Sequence, residues 1–203
     1  VEVGRRTVVP HAVGAVLPPG WTRTLLPAAQ RPALATDQAP VLPQWAYTAA
    51  AQGEGGPVTW AIHTDRRRHW SVARHGTPDL PRRVQGLIDE SPNPIYRQLR
   101  RCALEWSCFT AQNVFYGRDE GAIPASPACN AHCVGCISED AEEVPASHER
   151  ILRAPRAEEM AEVGARHLAS ARGRVMVSFG QGCEGEPLLR WRDVARAIRL
   201  MRA

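Results

Sequence analysis

Three cysteines lie within eight residues in the second half of the chain, in the segment CNAHCVGC, which contains Cys129, Cys133 and Cys136. Spacing this short allows one loop to bring three thiolates to a single metal centre. A closed tetrahedral site needs four ligands, so the motif predicts either a fourth ligand from elsewhere or a coordination position left open for chemistry. A sulfur-rich zinc site is one interpretation, and its fourth ligand would be one of three residues: His132, His148 or Cys183.

A glycine-rich segment, GCEGEPLL, occupies residues 182–189. Gly185 allows a ligand to approach the backbone closely, and the Glu186 carboxylate beside it can bind an ammonium group. Cys183 could face a substrate, although a small thiol packed in the turn is favoured. His132 lies inside the cysteine loop and is interpreted as a group that supports the ligands rather than as a ligand. The segment could therefore bind an ammonium group.

The elements around these two motifs alternate between strand and helix. A short strand at 122–126 leads into the cysteine loop, and a helix is predicted over 156–171, where acidic residues in the first turn suit the helix dipole. The near-continuous apolar run at 174–179 predicts a strand buried on both faces. A last helix begins at Pro187 and is expected to bury its apolar residues, namely Leu188, Trp191, Val194, Ala195 and Ile198. This order predicts a parallel α/β architecture.

One helix is predicted over 95–116, because apolar residues recur there at steps of three and four. Its predicted buried face consists of Tyr96, Leu99, Ala103, Trp106 and Thr110. Cys102 and Cys108 lie six positions apart and would point about 120° away from each other on such a helix. They are therefore interpreted as buried reduced thiols that do not share a metal.

The first part of the chain is rich in proline, with 12 of the 17 prolines in the first 100 residues. Strands are predicted at 44–50 and 57–63 around a glycine-rich turn at 53–56. Trp45, Tyr47 and Trp60 are expected to supply the apolar bodies of this small unit. The basic run at 65–70, which contains Arg66, Arg67 and Arg68, could stack on nucleic-acid bases or phosphates, but a solvated loop is favoured.

All 25 basic residues are arginine, against 21 acidic ones, which gives a net charge of +4. The absence of lysine excludes Schiff-base chemistry, pyridoxal phosphate attachment and a Walker-type phosphate loop. The mild positive charge permits contact with nucleic acid without requiring it. No stretch approaches the roughly 20 apolar residues of a membrane span, and no signal peptide is recognisable, so a cytoplasmic protein without membrane contact is expected.

The two motifs together resemble the radical SAM superfamily, over residues 122–203. The resemblance implies that Cys129, Cys133 and Cys136 bind a [4Fe–4S] cluster. It also implies that Gly185, Glu186 and Pro187 form the segment that contacts the amino group of S-adenosylmethionine. Gly135 stands where the family commonly has an aromatic residue near the adenine, and Glu184 stands where it has a glycine. The adenine would then contact Phe179 or a residue outside this chain.

The resemblance further implies an enzyme that cleaves S-adenosylmethionine to a 5′-deoxyadenosyl radical, which abstracts hydrogen from an unidentified substrate. An external low-potential electron donor, similar to flavodoxin or ferredoxin, would be its partner. The expected organisation is a Pro-rich β-containing region at 1–92, a connecting helix at 93–118, and the first two βα units of a partial (β/α)6 barrel at 119–203. Such a barrel needs more residues than follow Cys136, so the chain is expected to be the front part of an enzyme.

Two non-catalytic functions remain open from the sequence. The module could be an iron–sulfur electron carrier that neither binds nor cleaves S-adenosylmethionine. It could instead be a zinc-stabilised module that binds nucleic acid through the arginine run at 65–70. Iron content, zinc content and the response to S-adenosylmethionine distinguish these functions from the enzyme.

Overall fold

The computed structural model describes residues 2–3, 6–7, 14–17, 20–25, 47–64, 71–131, 133, 136–140, 146–170, 173–180 and 184–202. The chain divides into two compact units. One comprises Val1–Ala35 and Trp45–Val72, and the other comprises Thr36–Gln44 and Ala73–Ala203. The division falls within the interval 1–92 that the sequence assigned to a single Pro-rich region.

The N-terminal unit consists of short antiparallel strand pairs. Strand β1 (Glu2–Val3) pairs with β2 (Arg6–Thr7), and β3 (Gly14–Val16) pairs with β5 (Tyr47–Ala49). Strand β4 (Trp21–Arg23) pairs with β8 (Ala61–His63), and β6 (Ala51–Gly53) forms a hairpin with β7 (Gly56–Val58). The hairpin turn ends at Gly56, whose φ of 122° suits glycine.

The strand predictions for this unit are confirmed in part. Strand β5 falls within the predicted 44–50 segment, but the segment 57–63 forms two short strands, β7 and β8, rather than one. Trp60 lies between them with an exposed side chain, so its expected role as a core residue is wrong. Trp45, the side chain of Tyr47 and the basic run at 65–70 lie outside the described residues.

The second unit contains the five α-helices and one parallel strand pair found among the described residues. In chain order these are α1 (Leu80–Glu90), α2 (Pro94–Leu104), α3 (Phe109–Tyr116), β9 (Glu120–Ile123), α4 (Ala157–Ser170), β10 (Met176–Phe179) and α5 (Trp191–Met201). Short 3₁₀ turns occur at Val72–Arg74 and Pro187–Arg190. The longest described helix, α4, has 14 residues, and no helix in the described ranges could cross a membrane.

The predicted helix over 95–116 is in fact two helices. Asn93 caps α2 by accepting a hydrogen bond from the Ile95 backbone N–H at 3.1 Å. Ser107 then adopts a φ of 52°, in the left-handed region, so the chain turns before α3, whose N-cap position is Cys108. The argument that Cys102 and Cys108 point 120° apart is therefore wrong, because it assumed a continuous helix.

Strands β9 and β10 are parallel, with Val177 opposite Gly121 and Phe179 opposite Ile123. Helix α4 connects them, which confirms the α/β class and the βαβ order expected from the sequence. Gly121 permits close packing, since a Cβ there would lie 2.9 Å from the ring of His167 on α4. Within the described residues the sheet has only these two strands and does not close into a barrel.

Burial of the last two elements is lower than the sequence predicted. Met176 is exposed and the rest of β10 is half-buried, so this strand is not covered on both faces. Leu188 (72% exposed), Trp191 and Ile198 also lie at the surface, whereas Val194 and Ala195 are half-buried. The reason is geometric: β10 has one paired strand in the described sheet, and α5 has α4 as its main neighbour.

Candidate functional site

The loops that follow the two parallel strands meet at one edge of the sheet. The Gly185 backbone N–H donates a hydrogen bond to the Ser126 carbonyl at 2.8 Å, and the Glu186 N–H donates to the Ala128 carbonyl at 2.9 Å. Ala128 directly precedes Cys129, and Ser126 lies three positions before it. Because the carboxyl ends of parallel strands lie at the same edge, the fold brings together two motifs that are far apart in the sequence.

Gly185 fits this position because it has no side chain. A Cβ at Gly185 would lie 2.2 Å from the Ala128 carbonyl oxygen and 2.4 Å from that of Ser126. Both neighbours are backbone atoms, which cannot move aside as a flexible side chain can. The close approach of the two loops therefore requires glycine at this position.

The other predicted residues of this segment shape the turn after β10. Gly180 has a φ of 69°, and a Cβ there would lie 2.7 Å from the ring of Pro187. Glu186 Oε1 accepts a hydrogen bond from the Leu188 N–H at 2.9 Å and so caps the 3₁₀ turn that starts at Pro187. Phe179 is half-buried at the end of β10 and packs against the core.

The described thiols of the cysteine loop receive hydrogen bonds from their surroundings. The Ala131 N–H donates to Cys129 Sγ at 3.5 Å, and Arg150 Nη2 donates to Cys136 Sγ at 3.7 Å. Hydrogen bonds from the backbone and hydroxyl of Ser138, together with the Arg150 guanidinium, lower the pKa of the Cys136 thiol. Arg150 Nε also donates to Ser138 Oγ at 2.9 Å, which fixes the guanidinium beside the sulfur.

The three predicted cluster ligands are accessible in this structure. Cys133 is exposed, Cys129 and Cys136 are half-buried, and none of them forms a disulfide. His132, Gly135 and Cys183 lie outside the described residues. The loop turns through a hydrogen bond from the Cys136 N–H to the Cys133 carbonyl at 3.2 Å. The three thiols are a sulfur-only donor set of the kind that binds an iron–sulfur cluster or zinc, but in this structure the three sulfurs do not all lie within 4.8 Å of one another.

A second group of metal-type ligands lies in the interior of the same unit. Cys102 on α2, His148 after the cysteine loop and Glu184 after β10 each offer a ligand atom, and these atoms lie within 4.8 Å of one another. Cys102 Sγ is 3.6 Å from His148 Nε2. The three residues are 3%, 1% and 6% exposed, respectively. We refer to them below as the buried triad.

Neighbouring groups fix the Glu184 carboxylate. Gln98 Nε2 donates to its Oε1 at 2.8 Å, and the Ile151 backbone N–H donates to its Oε2 at 2.9 Å. Burial raises the pKa of Glu184 to about 7, because a charged carboxylate is poorly solvated there.

His148 is held by the aromatic ring of Trp106, whose centroid lies 3.9 Å from that of the imidazole. Burial, and secondarily the positive charge of Arg101, lowers the pKa of His148 to about 4, so the ring is neutral at physiological pH. Among the described residues, its Nδ1 has no hydrogen-bond partner. The other ring nitrogen, Nε2, faces Cys102 Sγ, and a neutral imidazole is a competent metal ligand.

Sequence reasoning identified the cysteine loop but not the buried triad. His148 was considered only as a zinc ligand beside the loop thiols, and Cys102 only as a buried thiol. Glu184 was noted only for replacing a family glycine. Because 46 positions separate Cys102 from His148, no local spacing could have signalled the group.

Comparisons with known proteins return nothing: no protein-family model, curated protein or solved structure matches this chain.

Proposed function

We propose that the chain acts as a radical SAM enzyme, with Cys129, Cys133 and Cys136 as ligands of a [4Fe–4S] cluster. The observation that carries the proposal is the backbone pairing of residues 185–186 with residues 126 and 128, directly before the first loop cysteine. In the family that the motifs resemble, the cluster and the amino group of S-adenosylmethionine lie side by side. A fold that joins the cysteine loop to the Gly-Glu-Pro segment is the arrangement this chemistry requires.

The residues present fit such a cluster. Three thiolates from one loop leave one iron without a protein ligand, which is the position that a small molecule can occupy. The Ala131 N–H and the Arg150 guanidinium lie at hydrogen-bonding distance from two of the sulfurs. Hydrogen bonds to sulfur and nearby positive charge stabilise a thiolate-bound, negatively charged cluster and tune its reduction potential.

When bound, the cluster would supply the electron that cleaves S-adenosylmethionine to methionine and a 5′-deoxyadenosyl radical. The protein residues orient the cofactor and protect it from solvent. The segment from Gly185 to Pro187 places a carboxylate and backbone carbonyls beside the loop, where they can bind the amino group of the cofactor. Glu186 is held in place because its Oε1 already caps the following turn.

The other expectations from the resemblance belong to the same proposal. The two parallel strands would be the first strands of a partial (β/α)6 barrel, and an external flavodoxin- or ferredoxin-like protein would deliver the electron. The substrate class is open. The cytoplasmic location expected from the sequence is part of this proposal.

Anaerobic reconstitution with iron and sulfide tests the proposal. We expect about four irons and four sulfides per chain, a brown protein, and a reduced-cluster electron paramagnetic resonance signal that changes when S-adenosylmethionine is added. An unchanged signal would indicate an electron carrier instead. A colourless protein with zinc on the loop thiols would indicate the zinc-stabilised module.

Single variants assign the ligands. Cys133→Ala removes an exposed thiol of the loop and should reduce the iron content to a small fraction of the wild-type value. The matched control is Cys108→Ala, which removes a thiol outside the loop and should leave the cluster intact. Retention of a fully loaded cluster by Cys133→Ala would overturn the assignment.

A further inference from the structure

We propose that Cys102, His148 and Glu184 form a buried zinc(II) site, separate from the cysteine loop. The three residues come from three different segments of the second unit, and their ligand atoms converge within 4.8 Å. Sulfur, nitrogen and oxygen donors in one site are the set that Zn²⁺ accepts. This inference does not depend on the proposed enzymatic function.

The distance between the sulfur and the imidazole nitrogen fits a tetrahedral ion. Zn–S and Zn–N bonds of about 2.3 and 2.0–2.1 Å, at a tetrahedral angle, place the two ligand atoms about 3.6 Å apart. Cys102 Sγ and His148 Nε2 are 3.6 Å apart. The two ligands could therefore bind one ion with little change in their positions.

Charge balance favours a divalent ion in this interior. A Cys102 thiolate and a Glu184 carboxylate carry two negative charges, and the neutral His148 ring adds none. Zn²⁺ makes the group neutral overall, which removes much of the cost of burying charge in a region that is at most 6% exposed.

The surrounding residues hold the ligands as metal sites require. Gln98 and the Ile151 N–H each donate a hydrogen bond to a different oxygen of Glu184, and the lone pairs that remain can bind metal. The imidazole of His148 is positioned by the ring of Trp106, whose centroid lies 3.9 Å from its own.

A small cavity adjoins two of the three ligands. Cys102, Cys108 and Glu184 contribute to its lining, and its volume is about 10 Å³. The three protein ligands leave one position of a tetrahedral ion without a protein ligand.

A variant without the loop thiols isolates this site. In the triple variant Cys129→Ser/Cys133→Ser/Cys136→Ser, purified with Zn²⁺ and dialysed, we expect about one zinc per chain. Substitution with Co²⁺ should give a tetrahedral spectrum with a charge-transfer band from one thiolate. Absence of zinc and of this cobalt spectrum in the folded triple variant would overturn the proposal.

Further substitutions in this background assign the ligands. Cys102→Ser and His148→Gln should each lower the zinc content below about 0.1 per chain, and Gln98→Ala should weaken binding by about 10- to 100-fold. Cys108→Ser is the matched control and should retain zinc. Zinc retained by Cys102→Ser at the parent's level would also overturn the assignment.

A binding measurement keeps the test valid if a ligand variant folds poorly. Zn²⁺ added to the metal-stripped triple variant should raise its thermal unfolding midpoint, because an ion that binds only the folded state stabilises it. No change in the midpoint at saturating Zn²⁺ would overturn the proposal without reference to any ligand variant.

Discussion

The substitution Gly185→Ala tests whether the two loops at the sheet edge are held together as the structure shows. The added Cβ would lie 2.2 Å from the Ala128 carbonyl oxygen and 2.4 Å from the Ser126 carbonyl oxygen. Backbone carbonyls cannot rotate out of the way, so the segment at 185–186 must move away from the segment at 126–128. That movement breaks the two hydrogen bonds that join them.

The expected loss of stability follows from these contacts. Each backbone hydrogen bond contributes about 0.5–1.5 kcal/mol net, and overpacking of a tight contact costs about 1–3 kcal/mol. We therefore expect Gly185→Ala to lower the free energy of unfolding by about 2–5 kcal/mol. This is a large fraction of the stability of an ordinary domain.

Urea unfolding followed by tryptophan fluorescence measures the effect, and Gly86→Ala is the matched control. Gly86 lies on the exposed face of α1, and a Cβ there would meet nothing within 4 Å. The control should gain about 0.5–1 kcal/mol, because alanine favours the helix. Hydrogen exchange gives a second readout: the amides of residues 185 and 186 should lose protection in Gly185→Ala. A variant with wild-type stability and intact protection would refute the close packing of the loops.

Substitutions at three further positions test other features of the second unit. Hydrogen bonds from Arg153 and the Arg156 N–H lower the pKa of Glu159 from 4.5 to about 2, so its stabilisation is full above pH 4.5 and is lost as the pH falls towards 2. Because both arginines are exposed, Glu159→Gln should lower the free energy of unfolding at pH 7 by only about 1–2 kcal/mol. When urea unfolding is repeated at decreasing pH, the variant should lose less stability than the wild type below pH 4.5. Equal losses in the two proteins would contradict this prediction. Burial raises the pKa of Tyr96 to about 12, and its hydroxyl has no partner among the described residues. Tyr96→Phe should therefore raise the free energy of unfolding by up to about 1 kcal/mol. A decrease in the free energy of unfolding of more than about 1 kcal/mol would show that the hydroxyl has a partner. Ser107→Gly should raise the free energy of unfolding by about 0.5–1 kcal/mol, because the φ of 52° suits glycine. Ser107→Ala should not raise it, and thermal or urea unfolding measures both variants.

The sequence predicted the elements whose signals are local. The periodic helix at 156–171 appears as Ala157–Ser170, and the apolar run at 174–179 appears as the parallel strand Met176–Phe179. It did not predict the break between α2 and α3, because the left-handed residue there is a serine, with no glycine or proline to mark the turn. Helix α1 was missed because Pro81 was interpreted as part of a Pro-rich region, although proline is compatible with the first turn of a helix.

The two candidate sites also differ in whether a local signal in the sequence marks them. The cysteine loop is visible in the sequence because its three thiols are neighbours along the chain. The buried triad is not visible, since it depends on α2 reaching the segment after the loop and the segment after β10. Burial of β10 and α5 was overestimated because apolar character predicts what a strand or helix can bury, not which neighbours are present to cover it.

Glu184 and Gly185 connect the two candidate sites through adjacent positions of one segment. The backbone of Gly185 bonds to the start of the cysteine loop, whereas the side chain of Glu184 enters the interior and accepts hydrogen bonds from Gln98 and Ile151. A glycine at 184, as the resembled family has, would leave the Ile151 N–H without this acceptor and Gln98 Nε2 with only the Glu149 carbonyl. The departure at Glu184 is therefore explained by the interior that this side chain enters. An ion on the buried triad would hold Glu184 in place, and through it the segment that joins the cysteine loop.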